Sequence, residues 1–169
     1  MGENEAEKIK DEAAKRGTAM HEFLEMHLNG TQLLDLSREG QAARNMARII
    51  IEQGLKDIEE IWGSEVTLFY PGLYAGQTDL CGIYSGRESI IDFKGSNKPK
   101  RAEWIEDYFL QLAAYAMAHD QIYSTCVDQG VILMCSKDGF FQKFTSTGRE
   151  FTRYKHKFLR KVDEFYRKM

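Results

Sequence analysis

The chain has 169 residues, one domain's worth at about 100–200 residues per domain, and a composition that is 43% hydrophobic and 29% charged with only two prolines. That composition excludes a disordered, collagen-like or repeat chain and predicts one compact domain over residues 1–169, with no linker or composition shift to divide it. Lys and Arg number 23 against 26 Asp and Glu, a net charge of −3, so no global positive field exists to hold nucleic acid and a polyanion must be met by local charge.

Cys81, Cys126 and Cys135 are odd in number and widely spaced, which fits neither a disulfide framework nor a four-thiolate metal site, and they are expected to be reduced and mostly buried. No apolar run approaches the ~20 residues of a membrane span. The opening Met1-Gly2-Glu3-Asn4-Glu5-Ala6 is too acidic for a signal or transit peptide, and Ala6 stands where myristoylation needs Ser or Thr. The expectation is a cytoplasmic protein with no membrane partner.

A first helix is predicted from Glu3 to about Leu28, with Ala13, Met20, Phe23, Leu24 and Leu28 at helical spacing and Asn29-Gly30 as its stop; Gly17 inside it is costly. A second helix is predicted from about Arg38 to Ile61, with Ala42, Met46, Ile49, Ile50, Leu55, Ile58 and Ile61 on its inner face. Ser64 to Tyr70, Tyr74 to Tyr84 and Glu88 to Phe93 read as strands of an antiparallel meander, punctuated by Pro71-Gly72 and Ser85-Gly86. A third helix runs from about Ala102 to His119. Strands at Gly130–Cys135 and Phe140–Phe144 join near Asp138-Gly139, and a last helix covers about Ser146 to Arg167. The order ααβββαββα predicts an α/β domain, a central mixed sheet flanked by helices.

The segment Ser89-Ile90-Ile91-Asp92-Phe93-Lys94-Gly95-Ser96 holds the one Asp/Glu-x-Lys of the chain. Strand alternation puts Asp92 and Lys94 on one face and Ile91 and Phe93 on the other. This is either a catalytic pair or an exposed ion pair of little consequence. Asp79, in Gly76-Gln77-Thr78-Asp79-Leu80-Cys81-Gly82, lies about one strand and turn earlier. If the two runs form a hairpin, two carboxylates and a lysine converge as a hard divalent cation requires; otherwise Asp79 caps a turn beside Gly82. His21 and Glu25 share a helix face with Leu24 and Leu28. His21 is then either a hydrogen-bonded core histidine or a nitrogen ligand to the same metal, with Glu25 orienting it or a water.

Gln111 and Tyr115 stand one helical turn apart, a spacing equally suited to a solvated edge. Lys98, Lys100 and Arg101 follow the Asp92/Lys94 strand, and Arg149, Arg153, Lys155, Lys157, Arg160, Lys161, Arg167 and Lys168 crowd the last helix. These are candidate phosphate contacts or plain solvated charge.

In order, Gly-Thr-x-x-His, Gly-x-x-Asp, apolar-Asp-x-Lys and Gln-x-x-x-Tyr fall on a helix, two successive strands and the next helix. The set resembles the PD-(D/E)XK nuclease superfamily and its RecB-like exonuclease branch. Arg16–Glu22, Ile91–Lys100 and Gln111–Tyr115 are most similar to the mitochondrial genome maintenance exonucleases and their bacteriophage relatives, over roughly residues 13 to 118. The resemblance implies a restriction-endonuclease-like core and a Mg²⁺- or Mn²⁺-dependent DNA exonuclease preferring single-stranded ends, in phage or DNA-maintenance metabolism. It implies that His21, Asp79, Asp92 and the Phe93 carbonyl bind the metal, with Asp79, Asp92 and Lys94 catalytic. Lys94 would position the attacking water or offset phosphate charge. Gln111, Tyr115, Ser96, Lys98 and Lys100 would meet the nucleic acid, and Glu25 would stand behind His21. The chain lacks the four cysteines of the iron–sulfur members and the helicase module of the larger ones, so unwinding would fall to a single-strand-binding or recombination partner or be unnecessary. Alternatives are an endonuclease of the same fold on duplex or branched DNA, and a catalytically silent nucleic-acid-binding subunit.

Overall fold

The structure, a computed structural model, describes residues 2–30 and 38–168. Its elements are α1 (Glu3–Asn29), α2 (Arg38–Gln53), β1 (Ile58–Tyr70), β2 (Tyr74–Tyr84), β3 (Arg87–Ser96), α3 (Glu106–Tyr123), β4 (Gln129–Ser136), β5 (Phe141–Thr147) and α4 (Gly148–Arg167). Single 3₁₀ turns occupy Leu55–Asp57 and Ala102–Trp104. The order is the ααβββαββα read from the sequence. Among the described residues no helix is long and apolar enough to cross a membrane, and all three cysteines are free, with Cys126 exposed and the other two buried.

The ends of α3, β3 and β5 lie three or four residues beyond the sequence reading, at Tyr123, Ser96 and Thr147, and two further boundaries differ for a visible reason. The second helix stops at Gln53 and residues 58–63 belong to β1, so Ile58 and Ile61 leave the expected inner face; Ile61 is 47% exposed. Gly54 marks the break, where a Cβ would lie 2.8 Å from the Ile50 carbonyl oxygen, and the β-formers Ile58, Ile61 and Trp62 then favour an extended chain. The third helix begins at Glu106, because Ile105 leaves helical geometry at φ −116°, ψ 17° and separates it from the turn at Ala102–Trp104.

The strands lie in the order β1-β2-β3-β4-β5. β1 and β2 are antiparallel across the turn at Pro71-Gly72, where Gly72 has φ 75° and Leu73 N–H donates to the Tyr70 carbonyl. β2 and β3 form a hairpin whose last pair is Tyr84↔Arg87, closed by two residues with positive φ, Ser85 (48°) and Gly86 (78°). That is the primed turn whose twist matches the strands. β3 and β4 run parallel: Asp128 N–H donates to the Glu88 carbonyl at the start of both strands, and Lys137 N–H to the Ser96 carbonyl at their ends. The sheet is therefore mixed, and β3 is its middle strand.

The chain divides into two compact units. One comprises the described residues through Lys56 with Phe93–Lys100 and Leu133–Gln142. Its buried residues include Met20, Leu24, Met46 and Ile50, and Met46 and Met20 close over Gly95. The other comprises Asp57–Asp92, Arg101–Ile132 and the described residues from Lys143. In it Leu112 and Phe151 pack over Gly130, and the C-terminal end of α3 is fixed by Asp120, whose carboxylate accepts from Thr125 Oγ1 and Val127 N, both at 2.8 Å. That anchor sets the position of α3 above β2.

Gly82 sits mid-strand opposite Ile61, between two register shifts of β1. A Cβ there would be 2.0 Å from the Glu60 carbonyl oxygen, a backbone atom that cannot turn aside. Gly82→Ala is expected to cost about 1–3 kcal/mol, at the upper end of overpacking effects. Gly17→Ala, where a Cβ meets nothing within 4 Å, should instead raise stability by about 0.5–1 kcal/mol. Urea denaturation midpoints of the two variants check both signs.

Candidate active site

The Ser85-Gly86 turn fixes the β2/β3 register, and the ladder runs outward from it to Leu80↔Ile91. The next residue on each strand is an aspartate, Asp79 on β2 and Asp92 on β3. Leu80↔Ile91 is the last pair of the ladder, and one further step of the same register would set the two carboxylates on one side of the sheet. Asp92 is 5% exposed and Asp79 half-buried. Lys94 and Ser96 follow Asp92 at two-residue steps along the same face, while Ile91 and Phe93, at 0% and 2% exposure, point the other way.

Burial settles two of the alternatives. Asp92 is not half of an exposed ion pair, since β3 is covered over Ser89–Phe93. Asp79 does not cap a turn beside Gly82, which is paired in mid-strand with Ile61 and Ser89. Asp79, Asp92 and Lys94 are each engaged by other groups of the protein. Ser96 Oγ is buried with no hydrogen-bond partner among the described residues. An orphaned hydroxyl in line with a carboxylate and an ammonium group is an incomplete polar site.

His21 is half-buried on α1. Its Nδ1 lies 2.9 Å from the Gly17 carbonyl, and its ring centre is 6.4 Å from that of Phe93, tilted by 55°. A carbonyl only accepts, so in the neutral imidazole the proton sits on Nδ1 and Nε2 carries the lone pair. The Gly17 carbonyl thus fixes the ring from one side, and Glu25 is half-buried one turn further along α1.

Gln111 is exposed on α3 and its Nε2 donates to Tyr115 Oη at 2.8 Å. Tyr115 is 9% exposed, its ring seated over Gly76 of β2. The pair is therefore half core, half surface, with the tyrosine hydroxyl held by the exposed amide. Of the predicted phosphate contacts, Lys98 is exposed and Lys100 half-buried. The backbone of Lys100 is clamped from both sides by the Gln142 amide, which accepts from its N–H at 2.9 Å and donates to its carbonyl at 2.7 Å. Arg16 bonds Asn97 at the start of the same loop.

Trp104 was not singled out by the sequence reading. It is 62% exposed, with the Arg101 guanidinium 5.3 Å from its ring centre. An aromatic directly after a basic run was the available signal.

Among the described residues no three His, Cys, Asp or Glu side chains gather into a group that could hold a metal ion. A zinc-type site of three or four such side chains is not the pattern present. A hard cation such as Mg²⁺ needs only one or two carboxylates and completes its shell with water and substrate phosphate, a donor set that Asp79 and Asp92 match in kind.

The mixed sheet and the helices that flank it, in this order, define an α/β fold with a restriction-endonuclease-like core. Comparison with known proteins agrees. The chain is 31% identical over 145 residues to human mitochondrial genome maintenance exonuclease 1, covering 82% of this chain and 41% of that protein. It is 36% identical over 95 residues to the Xenopus tropicalis protein of that name, covering 53% of this chain and 27% of that protein. The crystal structure of a provisionally named exonuclease from Eubacterium rectale superposes with a TM-score of 0.65 at 16% identity, over 90% of this chain and 64% of that one, a likeness of fold. No family model matches the chain. It is thus a relative of the mitochondrial genome maintenance exonucleases, and it spans less than half the length of the curated relatives it matches.

A Cβ on Gly76 would lie 2.5 Å from Tyr115 Cε1. Gly76→Ala should lower stability by about 1–3 kcal/mol by displacing that ring. The same substitution in a Tyr115→Leu background should cost at least about 1 kcal/mol less, a coupling that a double-mutant cycle by thermal or urea denaturation measures directly.

Proposed function

We propose that this chain is a divalent-metal-dependent deoxyribonuclease that hydrolyses phosphodiester bonds at single-stranded DNA ends, in bacteriophage or DNA-maintenance metabolism. The observation that carries the reading is the β2/β3 register, which pairs Leu80 with Ile91 and leaves an aspartate as the next residue on each strand, with Lys94 and Ser96 two and four residues beyond Asp92 on β3. The names of the relatives support it, because both are exonucleases.

In this reading Asp79, Asp92, the Phe93 carbonyl and His21 hold Mg²⁺ or Mn²⁺. When bound, the ion acidifies a water and polarises a phosphoryl oxygen. Lys94 places a positive charge beside the phosphate as negative charge builds on it, and a fixed cation in a water-poor site is effective there because it needs no reorganisation. Ser96 Oγ, without a hydrogen-bond partner among the described residues, offers the phosphate or its water a hydrogen bond. Lys98 and Lys100 meet flanking phosphates from a loop held by Gln142, and Trp104 presents a π-face to an unpaired base. Gln111 and Tyr115 line the path of the strand, and Glu25 supports the His21 end of the site. The products are 5′-phosphate and 3′-hydroxyl ends. A single-strand-binding or recombination protein would deliver the end where the substrate begins as duplex.

Asp92→Asn keeps the shape of the buried side chain and removes its charge. It is expected to reduce cleavage of a linear single strand by about 1000-fold or more, and to abolish the rise in melting temperature that Mn²⁺ gives the parent. Lys94→Ala should slow turnover by about 100- to 1000-fold and keep that metal-dependent rise. A covalently closed single-stranded circle should survive under conditions that consume the linear form. Cleavage by a folded Asp92→Asn protein at the parent rate, or rapid loss of the circle, overturns the assignment.

An imidazole suits Mn²⁺ better than Mg²⁺, which prefers oxygen donors. Half-activation should therefore need less Mn²⁺ than Mg²⁺, and His21→Ala should narrow that difference. Equal requirements in the parent would remove His21 from the ligand set.

A further inference from the structure

Helix α4 carries seven lysines and arginines against Glu150, Asp163 and Glu164, in a chain whose net charge is −3. The structure sorts six of those cations into two groups. Lys155 donates to the Val127 carbonyl at 2.7 Å and lies over the Phe151 ring, Lys157 pairs with Glu106, and Arg167 pairs with Asp163 at 3.0 Å. These tie the helix to its own unit or to itself. Arg149, Arg153 and Arg160 are exposed and have no ion-pair or hydrogen-bond partner among the described residues.

At about 100° per residue, Arg149, Arg153 and Arg160 fall within an arc of about 40°, with His156 beside them. Phe151, which is fully buried, and the half-buried Phe158 and Val162 lie on the opposite side of the helix. The three guanidinium groups therefore line one ridge about 17 Å long, at 1.5 Å per residue. A groove lined by Arg153, Tyr154, His156, Lys157 and Arg160, with Glu106 and Glu150 as its acidic members, opens along it, its wall stiffened by Tyr154 stacked on Phe109 at 5.5 Å. Arginine presents a planar fork that matches a phosphate bidentately, and three uncommitted arginines in register make a track for a linear polyanion.

We infer that this face of α4 is a docking track for the phosphodiester backbone of single-stranded DNA, separate from the residues assigned to cleavage; the choice of DNA rests on the deoxyribonuclease reading. A membrane surface is the weaker occupant, because an interfacial helix inserts its apolar face and the centre of that face on α4 is buried. The track carries no base-edge recognition, so it holds DNA without regard to sequence.

Fluorescence anisotropy with labelled oligodeoxythymidylate in EDTA, where no cleavage occurs, tests the track as a function of salt. Each phosphate contact on a single strand contributes about 0.7 to the slope of log affinity against log salt. Arg149→Gln/Arg153→Gln/Arg160→Gln is expected to lower that slope by about 2. Raising salt from 50 to 200 mM should then weaken the parent about 20-fold more than the variant. The triple Arg→Lys variant should keep most of the slope. Equal slopes in the parent and the triple Gln protein, with melting temperatures alike, overturn the track. So does a parent that binds anionic vesicles or polyglutamate through these arginines in preference to the oligonucleotide. A parent that cuts no DNA with any divalent metal defeats the enzymatic reading, and the slopes still decide the track.

Discussion

The placement of one carboxylate constrains the rest of this molecule. β3 is third of five strands, bonded on both edges and covered over Ser89–Phe93, and strands so placed are ordinarily continuous apolar runs. Asp92 interrupts that run at 5% exposure. A buried carboxylate destabilises a fold unless neighbouring groups engage it, and its removal from water is among the larger unfavourable terms a strand can carry. Such a residue is retained where its charge has a use.

That placement makes register decisive. A slip of one residue between β2 and β3 would turn Asp79, and with it every side chain of β2, to the opposite face. The two-residue turn at Ser85-Gly86 fixes the register from one end, through a geometry that few residue pairs adopt. Gly82 secures it from the β1 side, since only a missing side chain lets the Glu60 carbonyl approach so closely. The hairpin is thus held in the one alignment that leaves an aspartate next on each strand beyond Leu80↔Ile91. Fold stability and the candidate chemistry draw on the same few backbone positions.

Local signals were legible in the sequence, and non-local ones were not. Turn chemistry at Pro71-Gly72 and Ser85-Gly86 placed both hairpins, and helical periodicity located α1 and α4 to within about two residues. Ile58 and Ile61 misled because their spacing from Ile50 and Leu55 also suits a helix; the break depends on how closely Ile50 and Leu133 crowd Gly54, which no local period reports. The β2/β3 register, out to Leu80↔Ile91, could be anticipated, since a two-residue loop dictates which residues face each other. The burial of Tyr115 could not, because its seat is the space left by Gly76, 39 positions earlier. Periodicity assigns a residue to a helix face; it does not say which neighbour lacks a side chain. Trp104 escaped for a different reason: an exposed tryptophan and a core tryptophan look alike until the surface is known.

Charge gives the same lesson in another form. Counted along the sequence, the basic residues of α4 are interchangeable, and the chain as a whole is negative. In the fold, Lys155, Lys157 and Arg167 are spent on carbonyl and carboxylate partners, and Arg149, Arg153 and Arg160 are not. Counterion release depends on the cations that actually reach phosphates, not on their total. A chain of net −3 gains no long-range pull on DNA, so whatever affinity it has must come from short uncommitted runs, and such affinity falls steeply as salt rises. Attraction confined to a few contacts depends on where those contacts lie on the helix, whereas a broad positive field would hold any polyanion alike.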